Sequence, residues 1–179
     1  SHAARVIRGA LMSRNGGRAK QWWLQFFGVG TDGPRKAVEI LSDQYIDAKR
    51  DAARLQQEAQ RMQYPQFRDK LVAMAAQRTG HAEMLTNKIR LLGANLPGVP
   101  DTPPTEKNSW EYLLAELDER QRDVDELLRQ ARQLAAEMPD IAALLQRIFE
   151  DGKTQRAAIR DMLMKSDPQA YLSSVRRTG

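Results

Sequence analysis

Residues 65–81 read PQFRDKLVAMAAQRTGH, and residues 139–155 read PDIAALLQRIFEDGKTQ. The two stretches lie 74 positions apart and share an apolar skeleton. Pro65 falls on Pro139, Phe67 on Ile141, Leu71 on Leu145 and Met74 on Ile148. Past the quoted ends, Leu85 falls on Ile159 and Ile89 on Leu163. Steps of three and four put these positions on one face of an α-helix. Such a skeleton, repeated with little identity, predicts two helical hairpins that close on each other into one bundle.

The flanking sequence supplies the other half of each hairpin. Asp32 and Pro34 signal a helix start, and Val38, Leu41, Tyr45, Ala48, Ala52, Leu55, Ala59 and Met62 form an apolar seam over about 34–62. The turn at Tyr64-Pro65 is short, so this helix and the next are antiparallel neighbours. A third helix starts near Ser109 and carries Trp110, Leu113, Leu117, Val124, Leu127, Ala131, Leu134 and Met138 before Pro139 opens the fourth. Between the hairpins lies 93–109, GANLPGVPDTPPTEKNS, with four of the eight prolines. A helix of about 27 residues spans roughly 40 Å. About 16 extended residues reach roughly 50 Å. The length therefore fits a crossover that returns along the whole bundle. A flexible linker between the hairpins is the alternative. No strand pattern is present.

Composition narrows the chemistry. The 179 residues are 41% hydrophobic and 28% charged, enough for a single core. No run approaches the roughly 18 apolar residues of a membrane span. The absence of cysteine excludes disulfides, thiolate nucleophiles and zinc–thiolate sites. There is no phosphate-cradling glycine loop, zinc motif or ordered Ser–His–Asp arrangement. Ser1-His2 reads as the scar of a cleaved tag, which leaves His81 as the one native histidine. The expected compartment is the cytoplasm.

The charge is uneven. Residues 1–36 contain seven basic residues and one acid, for +6, whereas the remainder carries −1. The chain thus divides into a basic and aromatic arm (1–33) that adds a short N-terminal helical extension over about 3–13, a helical bundle (34–167) and a short tail (168–179). In the arm, Arg18 and Lys20 precede Trp22, Trp23, Phe26 and Phe27. Three readings stand side by side. The segment is a lid on the bundle, a solubilising extension, or a docking element for a protein partner, a nucleic acid or a membrane surface.

The apolar stripes break at matching heights. In the second helix the series 67, 71, 74, 78, 81, 85 meets Arg78 and His81. In the fourth, the series 141, 145, 148, 152, 155, 159 meets Gly152 and Gln155. The third helix meets Arg120 and Gln121 there, and the first Asp47 and Ala48. These breaks predict a polar layer across mid-bundle, with Arg78 paired to Asp47, Asp51 or Asp125. The acidic run Glu116, Asp118, Glu119, Asp123, Asp125, Glu126 reads as a solvated face.

Two helix pairs, a long crossover and the phrase His81-Ala82-Glu83-Met84-Leu85 resemble the ferritin-like superfamily, and within it the rubrerythrin-type four-helix bundle, over about residues 34–165. The resemblance implies an all-α, up–down–down–up bundle. In that family each hairpin gives one glutamate and one Glu-x-x-His pair to a di-iron centre. This chain departs from the pattern at nearly every position. Arg78 stands where the first motif glutamate would be, with His81 after it, while Gly152 and Gln155 replace the second pair. Asp47 and Gln121 align with the remaining ligand positions. A guanidinium among two cations would be strongly repelled. The expectation is therefore a bundle without cofactor or di-iron centre, acting as an interaction or structural module and self-associating as a dimer. His81, with Asp47 or Glu83, is a single-metal candidate. The alternatives are an iron-handling oxidoreductase with its site completed across a subunit interface, and a nucleic-acid or membrane-surface binder acting through the arm.

Overall fold

A computed structural model describes residues 32–105, 107–166 and 176. The described residues form four helices and no strand: α1 (Asp32–Arg61), α2 (Pro65–Leu91), α3 (Ser109–Leu134) and α4 (Pro139–Ser166). Local chemistry explains the ends. Pro65 opens α2, where its missing N–H is no loss. The Asn108 side chain accepts from the Glu111 N–H while Glu111 returns the bond to the Asn108 N–H, so a reciprocal capping box starts α3. Arg68 donates to the Met62 carbonyl at 2.8 Å and satisfies an acceptor left over at the end of α1.

Cross-helix contacts fix the directions. Between α1 and α3 the pairs are Gln44–Gln130, Asp51–Arg120 and Arg54–Glu119, so numbers rise on one helix as they fall on the other. Between α2 and α4 they are Lys70–Asp161, Gln77–Gln155, His81–Asp151 and Lys88–Asp140, again antiparallel. Asp51 of α1 meets Arg78 of α2, and the short turn at 62–64 makes that pair antiparallel as well. Helices α2 and α3 consequently point the same way, and the segment joining them returns along the bundle. Gln57 holds the Thr102 carbonyl at 3.2 Å, and Arg61 holds those of Thr105 and Lys107, both at 2.7 Å. The returning segment is thus tied to α1.

The core consists of two apolar clusters, one at each end. Ile40, Leu41, Leu85, Ile89, Leu127, Leu134, Ile141, Leu145 and Ile148 fill one. Leu55, Met62, Phe67, Leu71, Met74, Leu113, Ile159, Met162 and Leu163 fill the other. Every helix contributes to both. Each fully buried aliphatic side chain contributes roughly 1.5–3 kcal/mol, so these clusters hold the bundle together. Between them, at mid-length, the interior is polar: Asp51, Arg78, His81, Glu116, Arg120 and Gln155 are all buried.

Candidate functional site

The polar layer is built around one carboxylate. Asp51 is 3% exposed, and its Oδ2 accepts from the Nη2 of Arg78 and, at 2.5 Å, from the Nη2 of Arg120. Its Oδ1 accepts from Arg54 Nη2 at 2.8 Å. Arg54 reaches on to Glu119 at 2.7 Å. Arg120 also donates through Nε to Glu116 Oε1 at 3.0 Å and lies 3.5 Å from Asp123. The helix period sets this arrangement: 51 and 54 share a face of α1, and 116, 120 and 123 share a face of α3.

Electrostatics follow from crowding. Burial alone would raise the Asp51 carboxyl, but Arg120, Arg78 and Arg54 pull it down to about 2. Burial raises Glu116, with Arg120 opposing. The two guanidiniums that share Asp51 move in opposite directions. Arg78 is lowered by burial and by repulsion from Arg120, whereas Arg120, against the pull of burial, is raised by Glu116 and Asp51. The difference has a plain cause: Arg120 has further acids beside it, and Arg78 leans on Asp51. Both stay charged, since arginine does not deprotonate in proteins.

The sequence candidates are distributed unequally. Arg78 and His81 lie in the layer, 3% and 1% exposed. Gln155 is buried there and donates to Gln77 Oε1 at 2.6 Å. Gly152 is buried where a Cβ would come 3.1 Å from Val124 Cγ2, so its role is close approach of α4 to α3. Asp47 is half-buried, one turn before the carboxylate that does the pairing. Gln121 is a correction to the reading. It is exposed, and it bonds Asp125 and Arg156 on the surface while Arg120 takes the interior. Neighbouring helical residues differ by about 100° in direction, and here that step leaves Arg120 facing the interior and Gln121 facing solvent. The acidic run is a second correction: Glu116 is buried, Glu119, Asp123 and Glu126 are half-buried, and Asp118 and Asp125 are exposed. Arg18, Lys20, Trp22, Trp23, Phe26 and Phe27 lie outside the described residues.

Some participants escaped the sequence reading. The roles of Arg54 and Glu116 were signalled by i, i+3 and i, i+4 partners, Asp51–Arg54 and Glu116–Arg120. Asp151, which pairs with His81 Nε2 at 2.7 Å, had no such signal because it comes from another helix. Burial lowers the His81 imidazole, with Asp151 opposing and Arg78 assisting. Glu83 is exposed and does not join His81.

These residues do not fit a di-iron centre. Guanidinium groups occupy the buried middle of the bundle, and the carboxylate between them is committed to three arginines. Among the described residues, no group of three or more His, Asp or Glu side chains could hold a metal ion. Comparison with protein-family models, curated proteins and solved structures finds no match.

Proposed function

We propose that the chain is a ferritin-like bundle in which an internal ion network occupies the position of a di-iron centre. It serves as a non-catalytic interaction or structural module that pairs with a second copy of itself. The carrying observation is Asp51 Oδ2 accepting from Arg78 and Arg120 together in the buried middle of the bundle. The antiparallel pairing of α1 with both α2 and α3 is compatible with the up–down–down–up order of that superfamily, and the Pro65 and Pro139 stretches then stand as the repeated second helices of two hairpins. The charge balance supports the reading physically. A central carboxylate already shared by three arginines has no call for divalent cations, and adding them would bring like charges together in a poorly screened interior.

Elemental analysis tests the reading, on protein purified without chelator and then exposed to ferrous iron or manganese. Metal bound well below one equivalent per chain is expected, and stoichiometric metal that survives gel filtration would overturn it. Sedimentation velocity tests the pairing: a dimer is expected, and a monomer at all concentrations removes that part of the proposal. The +6 charge of residues 1–36 favours a second reading, binding of a polyanionic surface through the arm. It requires salt-sensitive binding to DNA or anionic vesicles that disappears when residues 1–30 are deleted.

A further inference from the structure

Three buried nitrogen atoms in and around the polar layer lack a hydrogen-bond partner among the described residues, Arg54 Nε, Arg78 Nε and His81 Nδ1, and the last two lie together on α2. These two belong to side chains three residues apart on the inner face of α2, each at least nine-tenths buried. Side chains at this spacing have Cβ atoms about 5–6 Å apart. The two side chains are close enough for the Arg78 charge to act on the His81 imidazole.

The atoms are complementary. Arg78 Nε always carries a proton and can only donate. His81 Nε2 faces Asp151 Oδ2 at 2.7 Å, and a carboxylate accepts, so that nitrogen holds the imidazole proton. In the neutral ring this leaves Nδ1 as a lone pair that can only accept. We propose that one water molecule is held between them, accepting from Arg78 Nε–H and donating to His81 Nδ1. Leaving a buried donor and a buried acceptor unpaired costs more than immobilising one water, and interior waters characteristically bridge such orphaned groups. The neighbouring guanidinium disfavours a metal cation at Nδ1, and the Nδ1 lone pair disfavours an anion. A neutral molecule that both donates and accepts suits both neighbours.

In this arrangement the water, together with Asp151, fixes the His81 tautomer. The inference goes beyond the metal-free reading and can fail separately. Iron bound at His81 would sink both, whereas a dry histidine sinks only the water. The test uses the full chain, with side-chain ¹⁵N spectra of His81 at neutral pH and a crystal structure at a resolution that shows ordered solvent. The expected result is an Nε2–H tautomer with a hydrogen-bonded Nδ1, and density for a water within bonding distance of both nitrogens. A ring protonated on Nδ1, or a layer in which neither nitrogen contacts solvent, would overturn the proposal.

Discussion

Asp47 and Asp51 stand one turn apart on α1 and have opposite electrostatic fates. Burial and the carboxylates of Asp51 and Asp123 hold Asp47 up at about 6, with Arg78 opposing. Folding therefore favours its protonated form. Its charge destabilises the fold above pH 6, and the penalty fades as pH falls, vanishing near the unfolded value of about 4. Asp47→Asn should accordingly stabilise the protein at pH 7 and lose that advantage by pH 4. Urea unfolding of variant and wild type at both pH values checks this, and a margin independent of pH would contradict it. The difference between the two proteins is the right quantity, because His81 works the other way. Burial lowers its pKa, so protonation of the unfolded chain below about 6.5 weakens the fold. Asp51, depressed to about 2, contributes its stability above the unfolded carboxylate value and loses it as pH falls towards 2.

At the scale of the element, glycines separate propensity from packing. Both Gly80 and Gly152 lie inside helices, where alanine is favoured by about 1 kcal/mol. A Cβ at Gly80 meets nothing within 4 Å, so Gly80→Ala should raise stability by up to about 1 kcal/mol. A Cβ at Gly152 meets Val124 Cγ2 at 3.1 Å on the neighbouring helix. Val124 is itself packed in the interior and has little room to move, so Gly152→Ala should gain nothing or destabilise. Equal gains at both positions in thermal melts would refute this account of α3–α4 packing. The start of α3 gives another check: Asn108→Ala removes the capping box and should cost about 1 kcal/mol in urea unfolding.

Helix ends were legible in the sequence because single residues announce them, namely Pro65, Pro139 and the approach to Ser109. The inward residue in the middle of α3 was legible only as a choice between Arg120 and Gln121. A stripe stepping from Leu113 to Leu117 turns Gln121 towards the core, whereas the observed stripe steps from Leu113 to Glu116 and Arg120. Counting apolar residues discards charged ones, so a helix that buries Glu116 and Arg120 is read a fraction of a turn out of phase. The depth of Asp51 was hidden for the same reason. Its alternatives, Asp47 and Asp125, are equally acidic, and only the partner helices decide which one is enclosed.

At the scale of the whole molecule, two apolar clusters at opposite ends flank a charged middle, and both seams between the hairpins are bridged by polar pairs. On one side run Gln44–Gln130, Asp51–Arg120 and Arg54–Glu119, and on the other Lys70–Asp161, His81–Asp151 and Lys88–Asp140. No described helix is long and apolar enough to cross a membrane. Exposed pairs such as Lys153–Glu150 contribute little, so Lys153→Ala should leave stability nearly unchanged. The buried pairs differ, because removing one partner strands the other away from water.

Asp51→Asn bears most directly on this account, because it takes the shared negative charge from between Arg78 and Arg120 and leaves two buried guanidiniums facing each other. The expected result in urea unfolding at pH 7 is a loss of about 3–5 kcal/mol with an unchanged denaturant slope. An Asp51→Asn variant as stable as the wild type would contradict the claim that a charged network organises the centre of the bundle.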